Sequence, residues 1–169
     1  MKNHFELFGL TPAYALDLVH LDSVYREIQS EVHPDRFANA GDAERRASMQ
    51  MTTQVNEAYR TLKNPVQRAK YLLELNGVDV GFETNTAMSA DFLMEQMEMR
   101  ERLEEAKSAS DLDFLSRDLS VERRDIENQM QKKIDDERDF AASRDLVRKL
   151  MFLEKFGEEI ADAYETLDI

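Results

Sequence analysis

The sequence predicts an all-α protein made of two helical modules. Only 5 Gly and 3 Pro occur among 169 residues, so few residues are available for the tight turns that join the strands of a sheet. Apolar residues recur at helical spacing along most of the chain, separated by charged residues. The sequence contains no cysteine, which excludes a disulfide framework, a redox dithiol and an iron–sulfur cluster held by thiolates.

The charge is unevenly distributed and suggests where one module ends. Residues 1–75 carry 9 basic and 10 acidic side chains, net −1, whereas residues 76–169 carry 13 and 25, net −12. An acidic surface of this kind repels phosphate backbones and anionic lipids, so we expect neither nucleic acid nor a membrane as a partner. No apolar run reaches membrane-spanning length and the N-terminus lacks a signal-peptide pattern, so we also expect no anchor and no signal peptide.

The first long helix is predicted to begin after Asp17 and to end before His33. Asp17 is a helix-capping residue type, and it stands directly before an apolar stripe. Pro34 donates no backbone hydrogen bond and disfavours the helical conformation of the residue before it, so the helix must stop at His33. The stripe is formed by Leu18, Leu21, Tyr25, Ile28 and Val32.

His33, Pro34 and Asp35 therefore lie at one end of a helical hairpin. The second helix of the hairpin is predicted from another apolar stripe, formed by Met49, Thr52, Val55, Tyr59 and Leu62. The pattern indicates no packing role for the three side chains of the tripeptide, so we expect them to be exposed and to face a partner. A proline helix terminator followed by a capping aspartate would explain the same three residues without any function.

The sequence around this tripeptide resembles a J-domain over residues 1–76. J-domains activate heat-shock ATPases of the seventy-kilodalton class. Besides the tripeptide, the likeness rests on residues 3–10, 25–26, 55–62, 64–65 and 68–73. The resemblance implies a helical hairpin with short flanking helices, and it implies that His33, Pro34 and Asp35, with Tyr25 and Arg26, contact the ATPase.

The remaining sequence resembles the HscB type of J-domain co-chaperone, which acts in iron–sulfur cluster biogenesis. Residues 71–79, 92–101 and 147–153 carry this second likeness. It implies a bacterial cytoplasmic co-chaperone that stimulates an HscA-type ATPase and delivers an IscU-type scaffold protein to it. It also implies that the chain is not an enzyme and holds no cofactor of its own.

Two departures from general J-proteins keep an alternative open. Most J-domains of general chaperones have a basic face on the second helix, but here Asp22, Glu27 and Glu31 surround Arg26. The glycine–phenylalanine linker and the zinc-binding client domain of general J-proteins are also missing from the sequence. Both features favour a co-chaperone dedicated to one specialised ATPase. The alternative is a general co-chaperone that presents unfolded clients.

The C-terminal module is predicted to be a three-helix bundle over residues 90–169. Residues 77–89 show no helical stripe and include Gly81, Asn85 and Thr86, which indicates a connecting segment. Ser89 or Asp91 can cap the helix that follows. Helices are predicted near 90–107, 111–134 and 138–167, and the short links between them favour antiparallel neighbours.

The first helix of this bundle has a second apolar face. Phe92, Gln96, Met99 and Leu103 form an ordinary buried stripe. Leu93, Met94 and Met97 gather on roughly the opposite side, with Glu98 and Glu101 beside them. We expect this second group to be exposed, although a helix buried on both sides would show the same pattern. The HscB resemblance assigns these five residues to the scaffold-binding surface. Phe152, about 100° from the core stripe of the last helix, either completes that surface or lies at the edge of the core.

Other chemistry has little support in the sequence. His4 and His20 are isolated and no spacing suggests a zinc or two-metal centre, so we expect no metal. No glycine-rich phosphate loop is present, so we expect no ATP binding by the chain itself. An enzyme with His33 as general base and Asp35 orienting it remains a separate class of hypothesis, as does a purely structural helical adaptor.

Overall fold

The computed structural model describes residues 1–81 and 88–167, and the regular structure in these two ranges is helical throughout. The all-α prediction is therefore confirmed. The chain divides into two compact units, Met1–Leu75 and Asn76–Ile169.

The N-terminal unit is organised around its longest helix. It comprises α1 (His4–Leu7), α2 (Leu18–Val32), a 3₁₀ helix (Pro34–Phe37), α3 (Asp42–Lys63) and α4 (Pro65–Leu75). The helices α1, α2 and α4 all pack on α3. Asp17 caps α2 as predicted, because its Oδ1 accepts hydrogen bonds from the backbone N–H groups of Val19 and His20.

Fewer residues of the predicted α2 stripe are fully buried than the sequence suggested. Leu21 is fully buried, whereas Leu18 in the first turn is 37% exposed. The other stripe members, Tyr25, Ile28 and Val32, are half-buried. The remaining core side chains come from the other helices and include Phe5, Val55, Ala58, Leu62, Ala69, Leu72 and Leu73.

A buried arginine fixes the loop between α1 and α2. The Nε of Arg68 donates to the carbonyl of Tyr14 and its Nη1 to the carbonyl of Leu62, both at 2.7 Å. Its guanidinium also lies 5.1 Å from the centre of the Tyr14 ring. Arg68, which belongs to α4, therefore connects that helix to the loop and to α3 through charge-assisted hydrogen bonds.

The C-terminal unit is a three-helix bundle. It comprises α5 (Ala90–Glu105), α6 (Ala109–Gln131), a π-helical turn (Lys132–Asp136) and α7 (Phe140–Leu167). These bounds agree with the predicted helices to within about four residues, the usual uncertainty of sequence-based ends. Of the two candidate caps for α5, Ser89 is the one used, because its Oγ accepts from the N–H of Phe92.

The bundle core is built from the stripe predicted for α5 and from the inner faces of α6 and α7. Phe92, Gln96 and Met99 are buried on α5, while Leu103 is half-buried. On α7, Tyr164 is half-buried and its hydroxyl bonds Asp113 at 2.5 Å. The other buried side chains of α6 and α7 include Leu112, Leu115, Leu119, Ile126, Met130, Leu146, Leu150, Leu153, Phe156 and Ile160.

Part of the predicted connecting segment is anchored in the C-terminal unit. Val80 is 1% exposed, and its carbonyl accepts two hydrogen bonds from the buried Arg148, from Nε at 3.0 Å and from Nη2 at 2.6 Å. Gly77 and Gly81 have φ angles of 76° and 60°, a region that glycine enters without a steric penalty. Asn85 and Thr86 lie outside the described residues.

Candidate functional site

The tripeptide sits where α2 stops. The proline effect predicted from the sequence is confirmed, since α2 ends at Val32 and His33 has an extended backbone with φ −57° and ψ 134°. Pro34 is the first residue of the 3₁₀ helix. The capping residue is His33, not Asp35, because the His33 Nδ1 accepts a hydrogen bond of 3.2 Å from the Asp35 N–H.

The tripeptide presents a specific set of atoms to solvent. Side-chain exposure is 49% for His33 and 93% for Asp35, and Pro34 is half-buried. Because Nδ1 accepts from the backbone, the neutral His33 ring carries its proton on Nε2, which is then a donor. The Asp35 Oδ2 lies 3.6 Å from Nδ1, too far for a good hydrogen bond, so the carboxylate keeps its acceptor capacity for another molecule.

Side chains of α3 hold the end of α2 in place. The Val32 carbonyl, which a continuing helix would have paired, accepts instead from the Ser48 hydroxyl at 2.5 Å and from the Thr52 hydroxyl at 3.2 Å. Ser48 is only 5% exposed. Sequence reasoning did not single out Ser48, because its partner lies across the hairpin.

Tyr25 and Arg26 take different positions on α2. The Tyr25 ring stacks on Tyr59 of α3, with centroids 3.9 Å apart, and its hydroxyl donates to the Asn56 Oδ1 at 2.6 Å. Tyr25 is therefore mostly engaged within the hairpin. Arg26 is exposed. Of these two residues, Arg26 is therefore the one whose side chain a partner can reach directly.

The acidic surroundings of Arg26 are less acidic than the sequence suggested. Asp22 is bound within the hairpin, because its Oδ1 accepts from the Tyr59 hydroxyl at 2.6 Å and from the Lys63 Nζ at 3.1 Å. These hydrogen bonds, the Tyr59 one foremost, hold the pKa of Asp22 below its ordinary value. The Lys63 charge offsets that of Asp22, and Glu27 and Glu31 remain exposed.

The second apolar face of α5 is exposed. The exposed fractions of Leu93, Met94 and Met97 are 42%, 61% and 63%, so burial on both sides of the helix is ruled out. Glu98 and Glu101 are exposed beside them. Flexible thioether and leucine side chains flanked by carboxylates form a surface suited to an apolar partner with a basic rim.

Phe152 lies at the edge of the core. Its ring meets the buried Phe92 edge to face, with centroids 6.0 Å apart, and it is half-buried. Lys149, also on α7, places its ammonium 5.5 Å from the centre of the same Phe92 ring. Phe152 thus packs against the first turn of α5 while part of its ring stays accessible.

Comparison with known proteins identifies the family. A family model described as the HSCB C-terminal oligomerisation domain matches residues 88–161. A protein of Aromatoleum aromaticum named as a co-chaperone protein HscB homolog is 48% identical over 99% of this chain and 96% of its own length. The chain belongs to the HscB co-chaperone family. The predicted resemblance to the HscB type, with its role in iron–sulfur cluster biogenesis, is confirmed.

Solved HscB structures share the fold. Chaperone HscB from Vibrio cholerae is 37% identical and has a TM-score of 0.87, covering 98% of this chain and 99% of that one. The crystal structure of human co-chaperone protein HscB is 26% identical with a TM-score of 0.93, covering 100% of this chain and 84% of that one. The HscB fold, an N-terminal J-domain with a C-terminal bundle, therefore describes this chain.

Family membership also bears on the enzyme hypothesis. HscB proteins are co-chaperones, a non-enzymatic family, which agrees with the expectation that this chain is not an enzyme. The geometry at His33 agrees as well, since the nitrogen that a catalytic carboxylate would orient is bonded to the backbone. Within residues 1–81 and 88–167, no group of three or more potential ligands is placed to hold a metal ion. Across the same residues, none of the helices has the length and apolar character to span a membrane.

Proposed function

We propose that this HscB protein stimulates ATP hydrolysis by an HscA-type heat-shock chaperone and delivers an IscU-type scaffold protein to it, which aids the maturation of iron–sulfur proteins. The observation that carries the proposal is the presence of two exposed surfaces on two separate folded units. One is the tripeptide end of the hairpin, and the other is the apolar face of α5. We place this activity in the bacterial cytoplasm, in keeping with the bacterial relatives.

The J-domain provides the activating contact. His33 contributes a ring N–H, Asp35 a free carboxylate, and Pro34 a turn that keeps both outside the helix. Arg26 contributes a cation on the exposed side of α2. Tyr25 acts through its stacking on Tyr59, which fixes the orientation of α2 and hence of Arg26. The hydrolytic chemistry itself belongs to the chaperone partner.

The bundle provides the scaffold contact. Leu93, Met94 and Met97 supply apolar area, and Glu98 and Glu101 supply a carboxylate rim that favours a partner with basic side chains. Phe152 contributes its accessible edge. Because both surfaces belong to one chain, binding of the scaffold raises its effective concentration at the chaperone.

The alternative is a general co-chaperone that presents unfolded clients. The exposed methionines alone would suit adaptable binding of many clients. The compact acidic rim and the limited size of the apolar face favour one folded partner instead.

Steady-state ATPase measurements on the HscA-type chaperone test the proposal. The rate is measured with this protein alone, with the IscU-type scaffold alone and with both. We expect the rate with both to exceed the sum of the separate effects, because the tethered scaffold adds client stimulation to J-domain stimulation. Equal stimulation when an unfolded peptide replaces the scaffold would favour the general alternative, and absence of any stimulation would contradict the proposal.

A further inference from the structure

The connecting segment is attached to the bundle at Val80, well before α5 begins at Ala90. The Val80 side chain is 1% exposed, and its carbonyl accepts hydrogen bonds from the Nε and Nη2 atoms of Arg148 at 3.0 and 2.6 Å. Arg148 lies on α7 and is itself 4% exposed. Two charge-assisted hydrogen bonds from one guanidinium hold a carbonyl in a defined position. We call this contact between Val80 and Arg148 the Val80 anchor.

The backbone on either side of Val80 forms a turn of defined shape. Gly77 and Gly81 have positive φ angles of 76° and 60°, which glycine adopts without a steric penalty. The Oδ1 of Asp79 accepts a hydrogen bond of 2.9 Å from the N–H of Gly81, and an aspartate that bonds the backbone two residues later stabilises a turn. Val80 is the middle residue of this turn, so the local sequence supports its presentation to α7.

Arg148 is a costly residue for the core of a bundle. A buried charge lowers stability unless hydrogen bonds and an opposite charge compensate it. Its Nη1 lies 3.7 Å from the Oδ1 of Asp145, whose side chain is 71% exposed, so this ion pair contributes little. The short hydrogen bonds go to Val80 instead. An apolar side chain would fill the same place on α7 at a lower cost, so the buried charge indicates that holding Val80 has a use of its own.

The Val80 anchor divides the chain between α4 and α5 into two parts. Residues 76–79 join the end of α4 at Leu75 to the anchor, and residues 81–88 join the anchor to Ser89, the cap of α5. Only the first part connects the J-domain to a point fixed on the bundle. Residues 76–79 are therefore the tether whose length bears on the effective concentration of a bound scaffold at the chaperone.

We propose that Arg148 is a positioning residue for scaffold delivery, because it holds Val80 and so limits the tether to residues 76–79. Its side chain is buried and acts through Val80, not by touching either partner. The inference rests on the proposed function, since it concerns how a scaffold bound to the bundle reaches a chaperone bound to the J-domain. Effective concentration falls roughly as the −3/2 power of tether length, so a tether of about thirteen residues in place of about four lowers it about sixfold.

Two insertions test the anchor in a chain that keeps Arg148. Each adds the same flexible run of about nine glycine and serine residues, one after Asn76 and the other after Gly81. The first insertion lengthens the tether, whereas the second lies beyond the anchor. The readout is the synergy, the ATPase rate of the HscA-type chaperone with this protein and the scaffold together minus the sum of their separate effects, at scaffold concentrations below saturation.

We expect the insertion after Asn76 to lower the synergy about sixfold and the insertion after Gly81 to leave it at the wild-type level. Wild-type synergy with the insertion after Asn76 would overturn the proposal. Equal losses from the two insertions would also overturn it, because the anchor would then not separate the two parts of the chain.

Removal of the anchor provides a second test. Arg148→Met releases Val80, so the tether then extends toward Ser89 and the synergy should fall by up to about sixfold. In this variant the insertion after Gly81, which is silent in the wild type, should lower the synergy further. Arg144→Met, at a half-buried arginine one turn earlier on α7, is the control. Wild-type synergy in Arg148→Met that is folded by circular dichroism would overturn the proposal, and if this variant does not fold, the two insertions decide.

Two further measurements separate this inference from the proposed function. Stimulation without scaffold and calorimetric affinity for the scaffold should stay at the wild-type level in both insertion variants, because the insertions change neither the tripeptide nor the apolar face of α5. Absence of synergy in the wild-type protein would overturn the proposed function together with this inference. Synergy in the wild type that responds alike to both insertions would overturn this inference alone.

Discussion

The Ser48 hydroxyl on α3 donates a hydrogen bond of 2.5 Å to the carbonyl of Val32, the last residue of α2. Val32 directly precedes His33, so this bond connects the packing of the hairpin to the position of the tripeptide. Thr52 donates to the same carbonyl at 3.2 Å. The end of α2 is thus fixed by α3 and not only by the proline.

Ser48→Ala should lower the free energy of unfolding by about 1 kcal/mol, because Thr52 still satisfies the carbonyl in part. It should also reduce stimulation of the chaperone, since the tripeptide loses one of its supports. Thr53→Ala is the matched control, because the Thr53 hydroxyl is exposed and bonds only within its own helix. Urea unfolding and ATPase assays measure the two effects. Equal behaviour of the two variants would show that the bond to Val32 has no role.

Arg26→Ala should weaken chaperone stimulation only in part. An exposed charge contact contributes less than about 1 kcal/mol, so higher concentrations of the variant should recover the full rate. Arg60→Ala on α3, where the arginine is also exposed, is the control. Loss of stimulation that no concentration restores would show that α2 contributes more than this single charge contact.

The combined change of Leu93, Met94 and Met97 to alanine should weaken scaffold binding by about 2 to 4 kcal/mol, because a few apolar anchors dominate such interfaces. The three side chains are exposed, so the melting temperature should change little, whereas buried truncations would cost roughly 2 to 5 kcal/mol each. Calorimetric titration with the scaffold and a melting curve measure both quantities. Val121→Ala is the control for loss of exposed apolar area. Unchanged scaffold affinity in the folded triple variant would remove these residues from the site.

Glu122 gives the bundle a pH dependence. Burial, with the nearby Glu95 charge second, raises the pKa of Glu122 above its ordinary value of 4.5. A carboxyl with a raised folded pKa favours the folded state only while protonated, so its contribution is present below pH 4.5 and is lost as the pH rises through the folded pKa. Glu122→Gln should therefore raise the urea midpoint at neutral pH and have little effect below pH 4.5. A gain of the same size at both pH values would contradict this origin.

Features determined by neighbouring residues were predictable from the sequence. Asp17 caps α2, Pro34 ends it, and Ser89 was one of two candidate caps for α5. The exposure of Leu93, Met94 and Met97 also followed from helical spacing, because one helix cannot bury opposite faces in a three-helix bundle unless another element covers it.

Features determined by distant residues were not predictable. Arg68 bonds a carbonyl 54 residues away and Arg148 one that is 68 residues away, and backbone acceptors leave no signature in side-chain patterns. The cap formed by His33 was missed for a related reason, since proline and aspartate are the residues that pattern rules associate with a helix break. The hydrogen bonds of Asp22 with Tyr59 and Lys63 could not be predicted either, because they depend on how α2 and α3 align.

The most direct test of the central claim is the steady-state ATPase rate of the HscA-type chaperone with His33→Gln or Asp35→Asn in place of the wild-type protein. The Asp35 side chain is 93% exposed and that of His33 is 49% exposed, so the free energy of unfolding should change by less than about 1 kcal/mol, and scaffold affinity should stay at the wild-type level. We predict that neither variant stimulates hydrolysis. Stimulation at the wild-type level by either folded variant would contradict the role of His33 and Asp35 in activating the chaperone.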